Sequence, residues 1–367
     1  MAVSIILPNN NIEQPAVIKI IGVGGGGTNA VNRMIAANVS NVEFYVVNTD
    51  LPTLRRSSAD NKIQIGRDGL GVGGDPLKGE ESAVESEEKL RDMLKGADMV
   101  FITTGMGGGT GTGAAPVIAK FAKDNGILTV GVVTKPFTVE GKIRIDYANM
   151  GIDNIKKYTD ALIVIPNDRI FAVVDEKTPY EDGYKIIDDV LRRAIESITD
   201  TITKIGTVNI DFADVKRVLQ NSDTAIIGLG DGESLEEAFN KALHNVFVEG
   251  PDIREAHNIL INISCSRNNP FTIGDRGWLD DFIKKEFKHF QFLKPGNMVE
   301  DTLDTKVKVS IIASFNRKED IKEDLFDDIR QQEKSVVADD DGIKVNNLKD
   351  DLFSRPAYEH WKIKRLK

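Results

Sequence analysis

The sequence predicts an α/β domain with a doubly wound parallel sheet, joined by a long central helix to a smaller α+β domain. Three observations carry this expectation. From residue 16 to residue 165, short apolar, β-prone runs alternate with helical patterns, as parallel strands and their crossover helices do. Three glycine-rich loops follow separate strand-like runs, so they would gather at one edge of the sheet. Past residue 205 strands and helices continue, but with far fewer motifs.

The stretch that organises the chain is Ala97 to Gly113, ADMVFITTGMGGGTGTG. Its first half is a short apolar run and reads as a buried strand. The helix pattern from Ala114 to Lys123 carries Pro116 near its start and Gly126 past its end. Strand, glycine loop and helix form a phosphate cradle. Glycines let backbone N–H groups close on an anion, and a helix N-terminus adds about half a positive charge. Thr110 and Thr112 could donate hydroxyl bonds to phosphate oxygens. A merely flexible turn does not require threonines alternating with glycines between ordered flanks.

In chain order, residues 1–15 read as a loose polar arm. Ala16 to Val23 is a strand, and Gly22, Gly24 and Gly27 satisfy G-x-G-x-x-G ahead of a helix from Ala30 to Ala37. Val42 to Asn48 is a second strand, followed by Asp50. That fingerprint and acid also fit an NAD-type oxidoreductase. Gly69 to Pro76 is the third glycine loop, followed by a charged helix from Lys78 to Leu94. Leu128 to Thr134 and Ala161 to Ile165 are further strands, with a helix from Glu140 to Lys157 between them. Three loops suit a compact ligand with several phosphates better than one dinucleotide. A Walker loop is absent, since Gly141-Lys142 is followed by Ile143.

Asp182 to Lys204 predicts the long helix. Ile186, Ile187, Val190, Leu191, Ala194, Ile195, Ile198 and Ile202 form one broad apolar face. In Asn209-Ile210-Asp211-Phe212-Ala213-Asp214-Val215, helix capping accounts for both acids: Asp211 as the cap, Asp214 in the first turn. Strands are expected at 225–230, 258–265 and 307–314, with helices at 234–247 and 278–287. The predicted partition is therefore 16–180, 181–204 and 205–316.

Two tail segments follow. Residues 317–352 hold twelve Asp or Glu against seven Lys or Arg and read as an acidic disordered linker. Residues 353–367 hold five Lys or Arg against one Glu, interleaved with Phe, Tyr and Trp, and read as a partner-docking peptide.

A net charge of −10 and a sequence pI near 5.1 argue against a general nucleic-acid binder. The single cysteine, Cys265, rules out an intrachain disulfide and is expected in the core. No apolar run reaches the ~18 residues of a membrane span, and no signal peptide is evident. The cytoplasm is the expected compartment, without direct membrane insertion. The histidines show no ligand spacing, and no residue is assigned to a metal.

Seven motifs in order resemble FtsZ, the bacterial cell-division branch of the tubulin superfamily. They are GVGGGGTNA from Gly22, VNTD from Val47, GLGVGGDP from Gly69, GMGGGTGTGAAP from Gly105, TKPF-x-x-EGK-x-R from Thr134, IPND from Ile165 and NIDFADV from Asn209. The similarity runs from Ile18 to Phe315. It implies a tubulin/FtsZ-like fold and a GTPase that polymerises head-to-tail, using GTP/GDP and Mg²⁺. Its partners would be copies of itself, and membrane-tethering and regulatory division proteins through residues 353–367. Its place would be the division site beneath the inner membrane.

Residue by residue, the resemblance implies nucleotide contacts from Gly25, Gly26, Gly27 and Asn29, and from Gly73 and Gly74. Gly107, Gly108, Gly109, Thr110 and Gly111 would hold the β- and γ-phosphates. Glu140 and Arg144 would meet sugar and phosphate, Asn167 the base or ribose, and Tyr184 the guanine face. Asp189 would accept from guanine donors. Asp75 stands where the family commonly has Asn, and its charge has no assigned role. Asp211 and Asp214, with Asn209 positioning the loop, would act on the nucleotide of the neighbouring subunit. A non-catalytic nucleotide-gated scaffold would share the glycine loops without that chemistry.

Overall fold

The computed structural model describes residues 15–316, apart from 173, 176, 205, 245–247 and 304–305. All but the last residue of the expected arm, the acidic linker and the docking peptide lie outside the described residues. The described chain falls within one compact unit, Met1–Arg317.

The first half alternates strand and helix: β1 (Ile18–Val23), α1 (Gly24–Ala36), β2 (Glu43–Asn48), α2 (Leu51–Arg56), β3 (Asn61–Gln64), α3 (Pro76–Glu85), α4 (Glu87–Leu94), β4 (Met99–Gly105), α5 (Gly109–Asp124), β5 (Leu128–Lys135), α6 (Lys142–Lys156) and β6 (Ala161–Pro166). Six strands form one parallel sheet in the order β3-β2-β1-β4-β5-β6. The order reverses between β1 and β4, so their C-terminal ends diverge into a crevice.

Alternate strand residues face opposite layers. Ile21, Val23, Val100 and Ile102 pack with Ala83, Leu90, Ala114, Ile118, Ala148 and Ile155 of α3 to α6. Ile18, Ile20, Met99 and Phe101 pack with Ala30, Val31 and Met34 of α1. That second layer also takes Leu191, Ala194, Ile195 and Ile198 of the long helix α7 (Tyr180–Thr203). Burying each of the larger side chains stabilises by roughly 1.5–3 kcal/mol.

Beyond α7 come α8 (Phe212–Leu219), β7 (Ser222–Gly232), α9 (Leu235–Leu243), β8 (Asn258–Cys265), α10 (Ile273–Glu286), β9 (Phe292–Val299) and β10 (Val307–Asn316). The sheet order is β7-β10-β8-β9. β10 runs antiparallel to β7 and β8, while β9 runs parallel to β8. One face packs α9 and α10 through Phe239, Leu279 and Phe282. The other face packs α8, and its Ile227, Leu260 and Ile312 join the layer beneath α7, so one apolar cluster runs from the first sheet to the second. At the sheet edge the Glu249 N–H donates to the Val164 carbonyl at 2.8 Å, and Lys135 pairs with Glu249 at 3.0 Å.

Several elements differ from expectation. α1 and α5 begin inside their glycine loops, at Gly24 and Gly109, which makes Pro116 an interior helix residue. The charged helix breaks at Ser86, whose hydroxyl oxygen accepts from Gly66 N at 3.1 Å. The helix expected from Glu140 starts at Lys142, because Gly141 sits at φ +98°. The helix expected to Phe247 ends at Leu243. β3 and β9 have no counterpart among the expected strands; β3 has four residues, and β9 carries Lys, Pro, Gly and Asn among its apolar positions. Cys265 is buried as expected, and burial pushes its thiol up to about 11.

Helix α1 crosses the sheet at glycine-only distance. A Cβ on Gly27 would lie 2.3 Å from the Thr103 carbonyl oxygen, whereas one on Gly25 would meet nothing within 4 Å. Gly27→Ala should therefore cost about 1–3 kcal/mol in urea unfolding. Gly25→Ala should leave the unfolding midpoint in place.

Candidate active site

The crevice at the strand ends is a cavity of about 380 Å³. Val23 enters from β1, Gly24 from the start of α1, Gly105 from β4, Thr134 from β5 and Asn167 from the end of β6. Its backbone walls come from Gly24, Gly25 and Gly26 on one side and Gly108 to Gly111 on the other.

These walls are the first turns of α1 and α5. Neither helix has a side-chain cap or an acidic residue in its first turn, although Asp75, Asp211, Ser234 and Thr272 cap α3, α8, α9 and α10. Two helix ends whose N–H groups have no side-chain acceptor converge on one cavity, an arrangement that favours an anion. The approach is close: a Cβ on Gly24 would lie 3.0 Å from Gly111 N, and one on Gly26 3.0 Å from Gly105 N.

The threonines divide their work. Thr110 lines the cavity, and its hydroxyl pairs with that of Thr49 at 2.7 Å. Thr112 is buried, and its Oγ1 accepts from Gly107 N at 2.8 Å. It braces the loop and does not line the cavity, so the expectation that it reaches a phosphate is corrected. Gly107 and Gly27 are likewise packing glycines outside the lining. Gly107 has φ +94°, and a Cβ there would lie 2.7 Å from the Arg144 carbonyl oxygen.

Gly73 and Gly74, at φ +60° and +81°, turn the chain into α3 and also lie outside the lining. Asp75 caps α3, accepting from Leu77 N at 3.0 Å, which gives its carboxylate a structural role. Asn29, Glu140, Arg144, Asn167 and Tyr184 all line the cavity. Arg144 pairs with Glu140 at 3.0 Å, and Glu140 also accepts from Phe137 N at 2.8 Å.

Asn167 carries the clearest sign of a ligand. Its Oδ1 is buried and has no hydrogen-bond partner among the described residues. An orphaned buried acceptor is costly unless a donor arrives.

The acid that α7 brings to the cavity is Asp188, not Asp189. Tyr184, Ile187, Asp188 and Leu191 share one face of α7 at helical spacing, while Asp189 turns to Arg192 at 2.8 Å. That spacing was available in the sequence once Tyr184 had been placed. Burial pushes the Asp188 carboxyl above its ordinary value, against the opposing pull of Arg33 at 2.8 Å.

Asn209, Asp211 and Asp214 do not line the cavity. Asp211 and Asp214 form a reciprocal cap at the start of α8: Asp214 N donates to Asp211 Oδ1 at 2.9 Å, and Asp211 N to Asp214 Oδ2 at 3.0 Å. Asn209 Oδ1 accepts from Gly206 N at 2.6 Å. Asp214 also pairs with Lys294 of β9, a contact no motif announced. Burial pushes the Asp214 carboxyl up, but Lys294 and the Asp211 N–H outweigh it and hold the group below its ordinary value.

A parallel sheet with two uncapped glycine helix ends at its switch point, faced by an acid on a long central helix, defines a nucleotide-binding protein of the tubulin type. A family model described as the GTPase domain of the Tubulin/FtsZ family matches residues 17–175. The chain is similar to FtsZ from M. jannaschii solved as an empty dimer, with 37% identity and a TM-score of 0.74 over 83% of this chain and 89% of that one. A tryptophan-to-tyrosine variant of FtsZ from M. jannaschii gives 37% identity and a TM-score of 0.75, over 82% and 91%. CetZ2 from Haloferax volcanii, solved as a GTPγS-bound protofilament, shares the fold at 20% identity, with a TM-score of 0.68 over 86% and 99%.

The chain belongs to the Tubulin/FtsZ family and is an FtsZ-like GTPase. It binds GTP and GDP and hydrolyses GTP. That membership sets aside the NAD-type oxidoreductase.

Two measurements bear on the site. Asn167→Ala should weaken binding of a fluorescent GDP analogue about tenfold, on the order of 1–3 kcal/mol for one lost bond, without lowering the apo unfolding midpoint. Asp188→Ala should weaken it too, and Asp189→Ala should not.

Asp214 also predicts a pH effect. Its folded value lies below its ordinary 3.8, so its stabilisation is present above that value and is lost as pH falls through the folded one. The acid limb of a thermal-unfolding profile should be shallower in Asp214→Asn.

Proposed function

We propose that this chain is the filament-forming GTPase of a cell-division ring, in which GTP held by one subunit is hydrolysed when the next subunit's 207–215 loop completes the site. One observation carries this. The cavity's uncapped glycine helix ends favour an anion, yet the two loop carboxylates lie outside its lining on the same chain. A neighbour stacked head-to-tail would supply them. The solved relatives include an FtsZ dimer and a CetZ2 protofilament, and by analogy this chain self-associates.

In the assembled site Gly25, Gly26 and Gly108 to Gly111 hold the phosphates by backbone N–H groups. Glu140 and Arg144 bracket the sugar. Tyr184 lies along the base, and Asp188 and Asn167 accept its donors. Asp214, with Asp211, orients the attacking water. The water oxygen bonds to the γ-phosphorus, the bond from that phosphorus to the bridging oxygen breaks, and GDP leaves with the electron pair. The proton passes to a carboxylate or to the phosphate product.

Among the described residues no group of three His, Cys, Asp or Glu could hold a metal unaided. Mg²⁺ would therefore be held mainly by the phosphates and water, where it neutralises charge. The reciprocal cap fixes the loop's start to α8, which suits a group that must be presented across an interface.

Residues 353–367 would bind membrane-tethering and regulatory proteins, and the ring would lie in the cytoplasm beneath the inner membrane. The basic, aromatic composition of that segment supports docking onto partners.

Turnover per molecule, measured against protein concentration alongside light scattering, tests the trans site. It should be near zero below a threshold and rise together with scattering. Asp214→Ala should retain nucleotide binding and lose at least about 100-fold in turnover. Constant turnover per molecule at every concentration would place the whole site within one chain.

A further inference from the structure

Lys294 ties the loop to β9 through the Asp214 carboxylate. Its ammonium lies on Asp214 Oδ2, the same oxygen that accepts the Asp211 N–H. The contacts from Lys294 and from the Asp211 N–H both fall on Oδ2, so that oxygen is clamped and Oδ1 stands outside the pair. The Asp214 and Lys294 side chains are only 16% and 32% exposed, too sheltered for the loose geometry of a surface pair.

β9 grips the loop again further along. Val208 N donates to Asn297 Oδ1 at 3.0 Å, and Asn297 N donates to the Val208 carbonyl at 3.1 Å. The Arg217 guanidinium of α8 stacks over Phe292 at 4.2 Å, which holds the start of β9 against the same helix. β9 is thus a splint for the loop, and Lys294 is its only charged contact with the two carboxylates among the described residues.

We propose that Lys294 is a positioning residue for GTP hydrolysis. It fixes Asp214 by Oδ2, leaves Oδ1 to orient the attacking water, and offsets one of the two negative charges that the loop carries toward a neighbour's triphosphate. This role rests on the trans site proposed above. Without it, two carboxylates would approach a triphosphate whose charge only its Mg²⁺ and the loop amides offset. With it, part of the neutralisation travels with the loop. Its role is electrostatic and positional, and no proton passes through it.

The test uses the full chain with Lys294→Gln, Lys294→Arg and Asp214→Asn. Assembly is followed by sedimentation, turnover is expressed per assembled subunit, and each is titrated with Mg²⁺. The Asp214 carboxyl is followed by ¹³C NMR in the GDP-bound subunit.

The Gln variant should bind GDP normally and lose about tenfold or more in turnover per assembled subunit, as a group displaced from its reacting geometry does. It should need more Mg²⁺ to assemble, and its Asp214 carboxyl should titrate at a higher pH. The Arg variant should recover most of the rate. A Gln variant that is too unstable is replaced by Lys294→Met, which keeps the packing of the stem.

Wild-type turnover and Mg²⁺ dependence in the Gln variant, with Asp214→Asn inactive, would overturn the role of Lys294 and leave the trans site standing. So would an assembly defect that added Mg²⁺ does not relieve. Full turnover in Asp214→Asn would remove the trans reading itself.

Discussion

The structure depends on backbone meeting backbone without side chains between. Gly22 and Gly27 let α1 cross β1 and β4 within reach of the Thr103 carbonyl, and Gly24 and Gly26 bring its first turn onto Gly111 and Gly105. That approach places two helix N-termini at the single point where the strand order reverses. Had either helix carried a Cβ there, the ends would separate and their N–H groups would take water in place of an anion. The cavity, its affinity for phosphate and the packing of the central sheet therefore share one cause.

Long helix α7 converts this local device into a larger one. Its buried face closes the layer beneath the first sheet and continues into the second, so one apolar cluster links the cavity wall to the second sheet. Tyr184 and Asp188 face the nucleotide cavity from the helix start, and the chain after its end leads to the loop of Asn209, Asp211 and Asp214. The same element thus connects the place where GTP is bound to the loop proposed to act on a neighbour's GTP. The loop itself meets two demands with one geometry. Asp211 and Asp214 satisfy each other's backbone N–H groups, and that reciprocal cap holds both carboxylates still.

Much of this was legible in the chain because it is local. Strand runs in β1, β4, β5 and β6, the glycine loops and the broad apolar face of α7 are patterns of near neighbours, and the structure contains them. Where local signals competed, the boundaries moved. Glycine at Gly24 and Gly109 looks like loop but supplies the first helical turn, because an uncapped helix end is what the cavity uses. β9 stayed hidden because Lys294, Pro295, Gly296 and Asn297 interrupt its apolar character, and pairing along β8 overrides that propensity.

The sequence by itself determined the class of protein: ordered glycine motifs, alternating strand and helix, and a family resemblance that specifies a GTPase of the tubulin type. Spacing along the chain carries that information, since each motif is contiguous. Only the tertiary structure decided which residues face the ligand. It selected Asp188 over its neighbour Asp189 by the rotation of α7, turned Thr112 inward as a brace, gave Asp75 to a helix cap, and joined Lys294 to Asp214 across 80 residues. The physical reason is the same in each case. Direction and long-range contact are set by how packed elements are rotated against one another, and no local pattern encodes that rotation.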